Sequence, residues 1–231
     1  MSVAIAIDGP AGAGKSTIAR MAAAELGFIY VDTGALYRAI GLAATRRGVT
    51  SKSFDSAPVI AMLPEISVAL DFNESGEQVV LLGDEDVRAY IRTPEISMMA
   101  SAVSAIPEVR AFLLELQRDM ARRHNVIMDG RDIGTVVLPD AQLKIFLSAS
   151  PECRARRRYD ELVAKGSEVT FEEVLSDVIA RDYADSHRDI APLKPAEGAV
   201  IVDTSGEDLE TSVNKLLSIM KEHLNNEEVE A

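Results

Sequence analysis

The chain has 231 residues, of which 47% are hydrophobic and 26% charged, and its formal net charge is −13. That length makes one large domain, or a core with a small insertion, with enough apolar residues for a sizeable core. The acidic balance argues against a basic nucleic-acid groove, and the single cysteine, Cys153, excludes an intrachain disulfide or a cysteine zinc cluster.

In chain order, the apolar run Val3–Ile7 predicts a buried parallel strand. It starts with no basic leader and no apolar run approaches 18 residues, so neither a signal peptide nor a membrane span is expected, and the expected compartment is the cytoplasm. Next comes Gly9-Pro10-Ala11-Gly12-Ala13-Gly14-Lys15-Ser16-Thr17, which fits G-x-x-x-x-G-K-[ST], the phosphate-binding loop. Nucleotide phosphates must be approached closely by backbone N–H groups, and Gly9, Gly12 and Gly14 lack the Cβ atoms that would stand in the way. Lys15 can reach the β- and γ-phosphates, and the Ser16 hydroxyl can ligate Mg²⁺. Helical spacing of Ile18, Ala19, Ala22, Ala23 and Leu26 follows, so the helix that begins at the loop points its positive end at the anion.

A second strand is predicted over 28–31, then a helix opened by Asp32-Thr33-Gly34 and running to about Arg47. From Ile66 the period changes to two: Ile66, Val68, Leu70 and Phe72 alternate with smaller or polar residues, Asn73–Gly76 has turn chemistry, and a strand returns over 77–82. This reads as a hairpin inserted over 64–92. Thr93-Pro94 and Pro107 start helices to about Ala105 and Arg123, and strands follow over 125–128 and 143–147. Ser150-Pro151 starts a helix, Lys165-Gly166-Ser167 is a loop, and Thr170-x-x-Glu173 fits a capping box for a helix to about His187. A last strand over 199–202 and a helix from Leu209 to about Leu224 precede a polar tail, Asn225–Ala231, expected to fray. Strands alternating with helices give a parallel, three-layer α/β sheet.

An acidic chain that handles phosphate must gather its arginines locally, and this one does so in several places. Arg38 lies near the start of the second helix, at the mouth of the sheet, where a solvated helix charge is the other reading. Asp129-Gly130-Arg131-Asp132 follows an apolar strand: Asp129 could help to hold Mg²⁺ through water, Arg131 could grip phosphate, and Asp132 could accept from an amino group. A turn with a local ion pair would look the same. Arg181, Asp185 and Arg188 share one helix face, which is equally a ladder of surface ion pairs. Arg154, Arg157 and Arg158 precede a glycine loop and could form a lid over the donor phosphates, or a solvated basic face. His124, His187 and His223 are scattered and read as surface residues.

Taken together, Gly9–Thr17, Asp32-Thr-Gly-Ala-Leu-Tyr-Arg38, Ile91-Arg-Thr93, Asp129-Gly-Arg-Asp-Ile-Gly-Thr135 and Arg181-Asp-x-x-Asp185-x-x-Arg188 resemble bacterial cytidylate kinases, in family order and over about residues 3 to 224. The resemblance implies an α/β P-loop NTPase fold with a parallel central sheet, an inserted antiparallel β unit (64–92) and a helical lid (151–170), the core being 1–63, 93–150 and 171–231. It implies transfer of the ATP γ-phosphate to CMP or dCMP with Mg²⁺; a monomer is expected separately, because the sequence shows no coiled-coil heptads or obvious interface stretch. Lys15, Arg131, Arg157 and Arg188 would be catalytic, and Arg154 and Arg158 would join the phosphate loop in holding ATP. Ser101, Arg110 and Asp132 would read cytosine. Arg38, Arg131 and Arg188 would hold the CMP phosphate with Thr33 near it, and Arg181 and Asp185 would bind the sugar. Thr33 stands where many relatives carry Ser, and keeps the hydroxyl. Two other readings remain: another small P-loop kinase, acting on AMP, UMP or a metabolite, and a nucleotide-dependent switch. The switch lacks its guanine signature, because Asn214-Lys-Leu-Leu217 has no Asp.

Overall fold

The computed structural model describes residues 2–73 and 76–230. In chain order its elements are β1 (Ala4–Asp8), α1 (Lys15–Leu26), β2 (Ile29–Asp32), α2 (Thr33–Arg46), α3 (Ser56–Met62), β3 (Val68–Phe72), β4 (Gln78–Leu82), β5 (Glu85–Asp86), α4 (Pro94–Val103), α5 (Pro107–Arg123), β6 (Val126–Gly130), β7 (Leu143–Ser148), α6 (Pro151–Ala164), α7 (Phe171–His187), β8 (Val200–Asp203) and α8 (Leu209–Glu230). They form two compact units, one of residues 29–126 with Ser2, the other of residues 3–28 and 127 onward.

The second unit carries the phosphate loop. Its strands lie in the order β6-β1-β7-β8. β1 pairs in parallel with β7, Ile5 opposite Leu143 and Ile7 opposite Ile145, and β7 pairs in parallel with β8. Parallel pairing requires strands that tolerate burial on both faces. β1 meets this with Ile5, Ala6 and Ile7 wholly buried, and β6 with Val126, Ile127 and Met128. Ala19 and Ala22 of α1, and Leu216 and Met220 of α8, are also closed to solvent. Parallel strands end on one side, so the loops after β1 and β7 leave the same edge of the sheet.

The first unit is built around α2. One face of that helix, Leu36, Ile40 and Ala43, packs with Val59 and Met62, with Met99 and Val103, and with Val109 and Leu113. Its other face, Ala35, Ala39 and Leu42, packs with Val80, Val87, Ile91 and Ile96. The β3-β4-β5 sheet is antiparallel, with Val68 opposite Leu82 and Leu70 opposite Val80. The expected hairpin is therefore present, but it is seated on α2 as part of a larger compact unit.

Most element ends fall where the caps put them. Thr93 Oγ1 accepts from the Ile96 N–H at 3.2 Å, with Pro94 at the first helical position. The Thr170 box closes in both directions, at 2.8 and 3.2 Å. Among the described residues five elements were not expected: α3, the short β5, two single 3₁₀ turns at Ser51–Ser53 and Leu63–Glu65, and a single wide turn over Ile133–Val137 with i→i+5 bonds from the N–H groups of Val137 and Leu138. The predicted turn at Asn73–Gly76 includes residues 74–75, which lie outside the described residues, although its ends are tied by Asn73 N–H to Glu77 carbonyl at 3.0 Å. α8 continues past Leu224 to Glu230, so the tail expected to fray is helical as far as it is described, and Ala231 lies outside the described residues. His223 is half-buried, unlike the exposed His124 and His187. Among the described residues no single helix is long and apolar enough to cross a membrane.

Candidate active site

In the unit that holds the phosphate loop, the loop is shaped by the sheet edge. Gly9 has φ 151°, and a Cβ there would sit 1.9 Å from the Leu147 carbonyl oxygen of β7, so only glycine lets the chain turn so close to its neighbour. Pro10, Ala11, Gly12 and Ala13 carry the turn to Gly14, which N-caps α1, with Lys15 its first residue and Thr17 exposed on its first turn. The Lys15 side chain is buried, and its ammonium donates to the Pro10 carbonyl at 2.8 Å. Burial, and then the nearby Arg131, push its pKa down to about 7. Ser16 Oγ donates to Asp129 Oδ2 at 2.9 Å, so a hydroxyl and a buried carboxylate meet where the loop enters the helix. Two hard oxygen donors of this kind suit Mg²⁺, which takes one or two protein oxygens and completes its shell with phosphate and water.

The loop after β6 presents Arg131 and Asp132 in the same unit. Arg131 Nε donates to Asp185 Oδ2 at 2.8 Å, and Arg188 Nη2 lies 3.6 Å from Asp132 Oδ1. Burial works against the Asp185 carboxylate, but Arg131, with Arg181 and Arg188, holds its pKa below the usual range. Arg181 and Asp185 lie on α7, but Arg188 is its C-cap residue, in extended conformation just past the helix, so the expected face of three ends at Asp185; the cluster is closed instead by Arg131, inserted from another loop. Arg188 also donates from Nε to the Ala191 carbonyl at 2.6 Å. Beneath this loop lies a residue that sequence reasoning did not single out. Asp8, 3% exposed, accepts from the Ile133 N–H at 2.7 Å and the Gly134 N–H at 2.8 Å. Its pKa is pushed up to about 6 by burial, against the pull of those two bonds.

The three arginines of α6 have different fates. Arg154 is 2% exposed and makes four bonds: Nε donates to the Ala149 carbonyl at 2.8 Å, and Nη1 to the Ala11 carbonyl at 3.0 Å and to Asp182 Oδ1 at 2.9 Å, while Nη2 pairs with Asp182 Oδ2. Arg157 is half-buried, donates to the Thr204 carbonyl at 3.0 Å, and would stand 3.8 Å from a Cβ on Gly14. Arg158 is exposed and pairs with Glu161 one turn on at 3.2 Å. A cavity of about 570 Å³ lined by Cys153, Arg156, Arg157, Phe171 and Gly206 lies on this side of the unit.

The remaining residues belong to the other unit. Asp32, 6% exposed, N-caps α2 through the Ala35 N–H at 3.1 Å. Its Oδ2 also meets Arg38 Nη1 at 3.4 Å and Arg92 Nη2 at 3.3 Å. Thr33 is buried in the first turn beside them. Arg110 is 8% exposed, donates to the Ser104 carbonyl at 3.3 Å and lies over the Tyr37 ring at 5.8 Å. Ser104 Oγ donates in turn to the Ser101 carbonyl, so Ser101 and Arg110 are joined through one residue. Arg92 and Asp32 stand inside sequence blocks already singled out, but only the geometry shows them meeting.

Comparison with known proteins follows the same lines. Residues 5–222 match the family model for cytidylate kinase. The cytidylate kinase of Carboxydothermus hydrogenoformans is 49% identical over 216 residues, covering 94% of this chain and 96% of that protein. That of Caldicellulosiruptor saccharolyticus is 47% identical, covering 96% and 97%. Among solved structures, a gluconokinase from Sinorhizobium meliloti superposes with a TM-score of 0.50 at 14% identity, covering 99% of this chain and 97% of that one. A protein from Eubacterium ventriosum superposes at 0.52 and 10% identity, covering 95% and 99%. These two likenesses are of fold alone.

Proposed function

The chain belongs to the cytidylate kinase family, and on that premise we propose that it transfers the γ-phosphate of ATP to CMP or dCMP, giving ADP and CDP or dCDP. The observation that carries the reading at the level of the site is the Asp129–Asp132 loop. Asp129 meets Ser16 of the phosphate loop, while Arg131 and Asp132 are held by Asp185 and Arg188. One short segment thus connects the donor loop to a cluster of arginines.

Phosphoryl transfer asks a protein for positioning and for cations around the moving oxygens. The backbone N–H groups of the loop from Ala11 to Thr17 receive the donor phosphates, and Lys15 turns from the Pro10 carbonyl to them. Phosphate charge offsets the burial that depresses the Lys15 pKa, so the lysine is held as an ammonium when nucleotide is bound. Ser16, with Asp129 through water, would hold Mg²⁺, which when bound would supply charge that neutralises the phosphates. Arg157 bears on the donor from α6, and the cavity beside it suits the donor's base. Arg131 and Arg188 hold the acceptor phosphate, as do Arg38 and Thr33. Asp132, Ser101 and Arg110 read the base, and Arg181 and Asp185 the sugar. Asp132 accepts from the exocyclic amino group of cytosine; uracil would set a carbonyl against the carboxylate and leave both unpaired. Residues 151–170 act as the lid, 64–92 as the acceptor-side insertion, and the working form is a cytoplasmic monomer.

The test is Mg²⁺-dependent ATP consumption with CMP, dCMP, UMP, AMP or no acceptor. Turnover with CMP and dCMP far above UMP supports the reading. Equal rates with CMP and UMP remove the base roles and keep the kinase. No acceptor-dependent turnover removes the whole proposal.

A further inference from the structure

β4 begins at Gln78, on a hairpin whose sequence suggests nothing beyond packing. Its side-chain amide lies against the backbone of Asp32, 46 residues earlier. The Asp32 N–H donates to Gln78 Oε1 at 2.8 Å, and Gln78 Nε2 donates to the Asp32 carbonyl at 3.1 Å. The orientation of the amide follows from chemistry, because a backbone N–H can meet only the oxygen and a carbonyl only the nitrogen. One side chain thus satisfies both polar groups of a residue that is 6% exposed, as a neighbouring strand would.

That residue has more tasks than its own backbone. Asp32 ends β2 and caps α2, and its carboxylate meets Arg38 and Arg92. Moving its backbone would move the first turn of α2, which bears Thr33, and loosen the carboxylate from both arginines. From this we infer that Gln78 is a positioning residue for the acceptor: its two-point hold on Asp32 sets Thr33 and Arg38 for the acceptor phosphate. The hairpin then has a definite part in the reaction, as the strand that delivers this clamp, while Val80 of the same strand packs against α2. The inference rests on the assignment of Arg38 to the acceptor phosphate.

The experiment uses the full chain with Gln78→Ala and the near-isosteric Gln78→Glu. The second keeps an acceptor for the Asp32 N–H but turns a carboxylate oxygen toward the Asp32 carbonyl, and it carries the test if the first does not fold. The expected result is a KM for CMP raised about tenfold in either variant, an unchanged KM for ATP, and, in Gln78→Ala, faster exchange of the Asp32 amide in the free protein. An unchanged KM for CMP overturns the inference even if the melting temperature falls, since that is a purely structural role. Equal increases in both KM values overturn it too. If the wild type prefers another nucleoside monophosphate, the CMP reading fails and the same comparison is made with that acceptor. Amide exchange needs no acceptor at all, and an Asp32 amide that exchanges at the wild-type rate in folded Gln78→Ala ends the proposal under any assignment; if only Gln78→Glu folds, the KM comparison decides.

Discussion

Arg154→Met separates a strut from a lid. By sequence Arg154 belongs with Arg157 and Arg158 in a mobile arginine-bearing segment. In the structure its side chain is 3% exposed and ties three places together: the end of β7 at Ala149, the phosphate loop at Ala11, and α7 at Asp182. Methionine preserves most of the apolar stem and removes the charge. Breaking a buried pair by deleting one partner costs about 3–5 kcal/mol. Asp182 keeps 24% of its side-chain surface exposed, so water can partly resolvate it and the lower end applies, about 3 kcal/mol. For a chain of this size that is a fall in melting temperature of roughly 6–12 °C. The freed Ala11 carbonyl loosens the phosphate loop, so the KM for ATP rises with the loss of stability. Urea unfolding and steady-state kinetics on the same preparations read both. Adding Asp182→Leu should recover much of the stability, since no unpaired charge then remains. A variant with wild-type stability and a reduced kcat would refute the strut and return Arg154 to the lid.

Asp8 should leave a mark on the pH dependence of stability. Its folded pKa of about 6 exceeds its ordinary 3.8, so the folded state keeps a proton that the unfolded chain releases. The stability this provides is present below the ordinary value and is lost as pH rises through 6, on the order of 3 kcal/mol in all. Urea unfolding of wild type and Asp8→Asn at several pH values should therefore show the difference between them drifting against the wild type from about pH 4 to pH 7, and a constant difference would contradict it. In the phosphate loop, Gly9→Ala should abolish soluble folded protein, because its Cβ falls 1.9 Å from the Leu147 oxygen. Gly12→Ala, whose Cβ would meet Arg154 at an ordinary 3.4 Å, should cost only the strain of its positive φ, about 1–2 kcal/mol; similar melting curves for the two would show the close approach to be wrong. Asp132→Ala should reduce the preference for CMP over UMP by roughly 10- to 100-fold, and acceptor competition with unchanged selectivity would remove it from the base site.

The sheet and its helices were readable because each is specified locally. The phosphate loop carries its own geometry in its glycines, the helix starts carry caps at Thr93, Ser150 and Thr170, and the hairpin declares itself by alternation. β5 escaped because two exposed residues, Glu85 and Asp86, have no apolar period to read. α3 is one of the shortest helices, and its Ser-Ala-Pro start offers little pattern. At the site, charge content was legible and pairing was not. Arg131 and Asp185 are 54 residues apart, Gln78 and Asp32 46 apart, Arg154 and Ala11 143 apart. Spacing along one helix could group Arg181, Asp185 and Arg188, but no periodicity brings in a partner from another loop. The three arginines of α6 show the same limit, since similar spacing gave one buried strut, one residue near the phosphate loop and one exposed ion pair.

A net charge of −13 and the phosphate binding proposed for this chain are reconciled by how the arginines are held. Arg38, Arg131 and Arg188 each stand next to a carboxylate in their own unit: Asp32 at 3.4 Å, Asp185 at 2.8 Å and Asp132 at 3.6 Å. All three carboxylates are buried, at 6%, 6% and 4% exposure, so they are poor hosts for water and good hosts for a cation. A free arginine would surrender about 2 kcal/mol of rotamer entropy on gripping a ligand. Here much of that loss is taken on folding, by the carboxylate and, for Arg131 and Arg188, by the Gly130 and Ala191 carbonyls that take further donors of the fork. On the proposed assignment of these arginines to phosphate, the carboxylate beside each one sets the direction in which it points more than it competes with the ligand. That is why charge counting along the chain, which sees only an excess of acid, misjudges what the folded surface can bind.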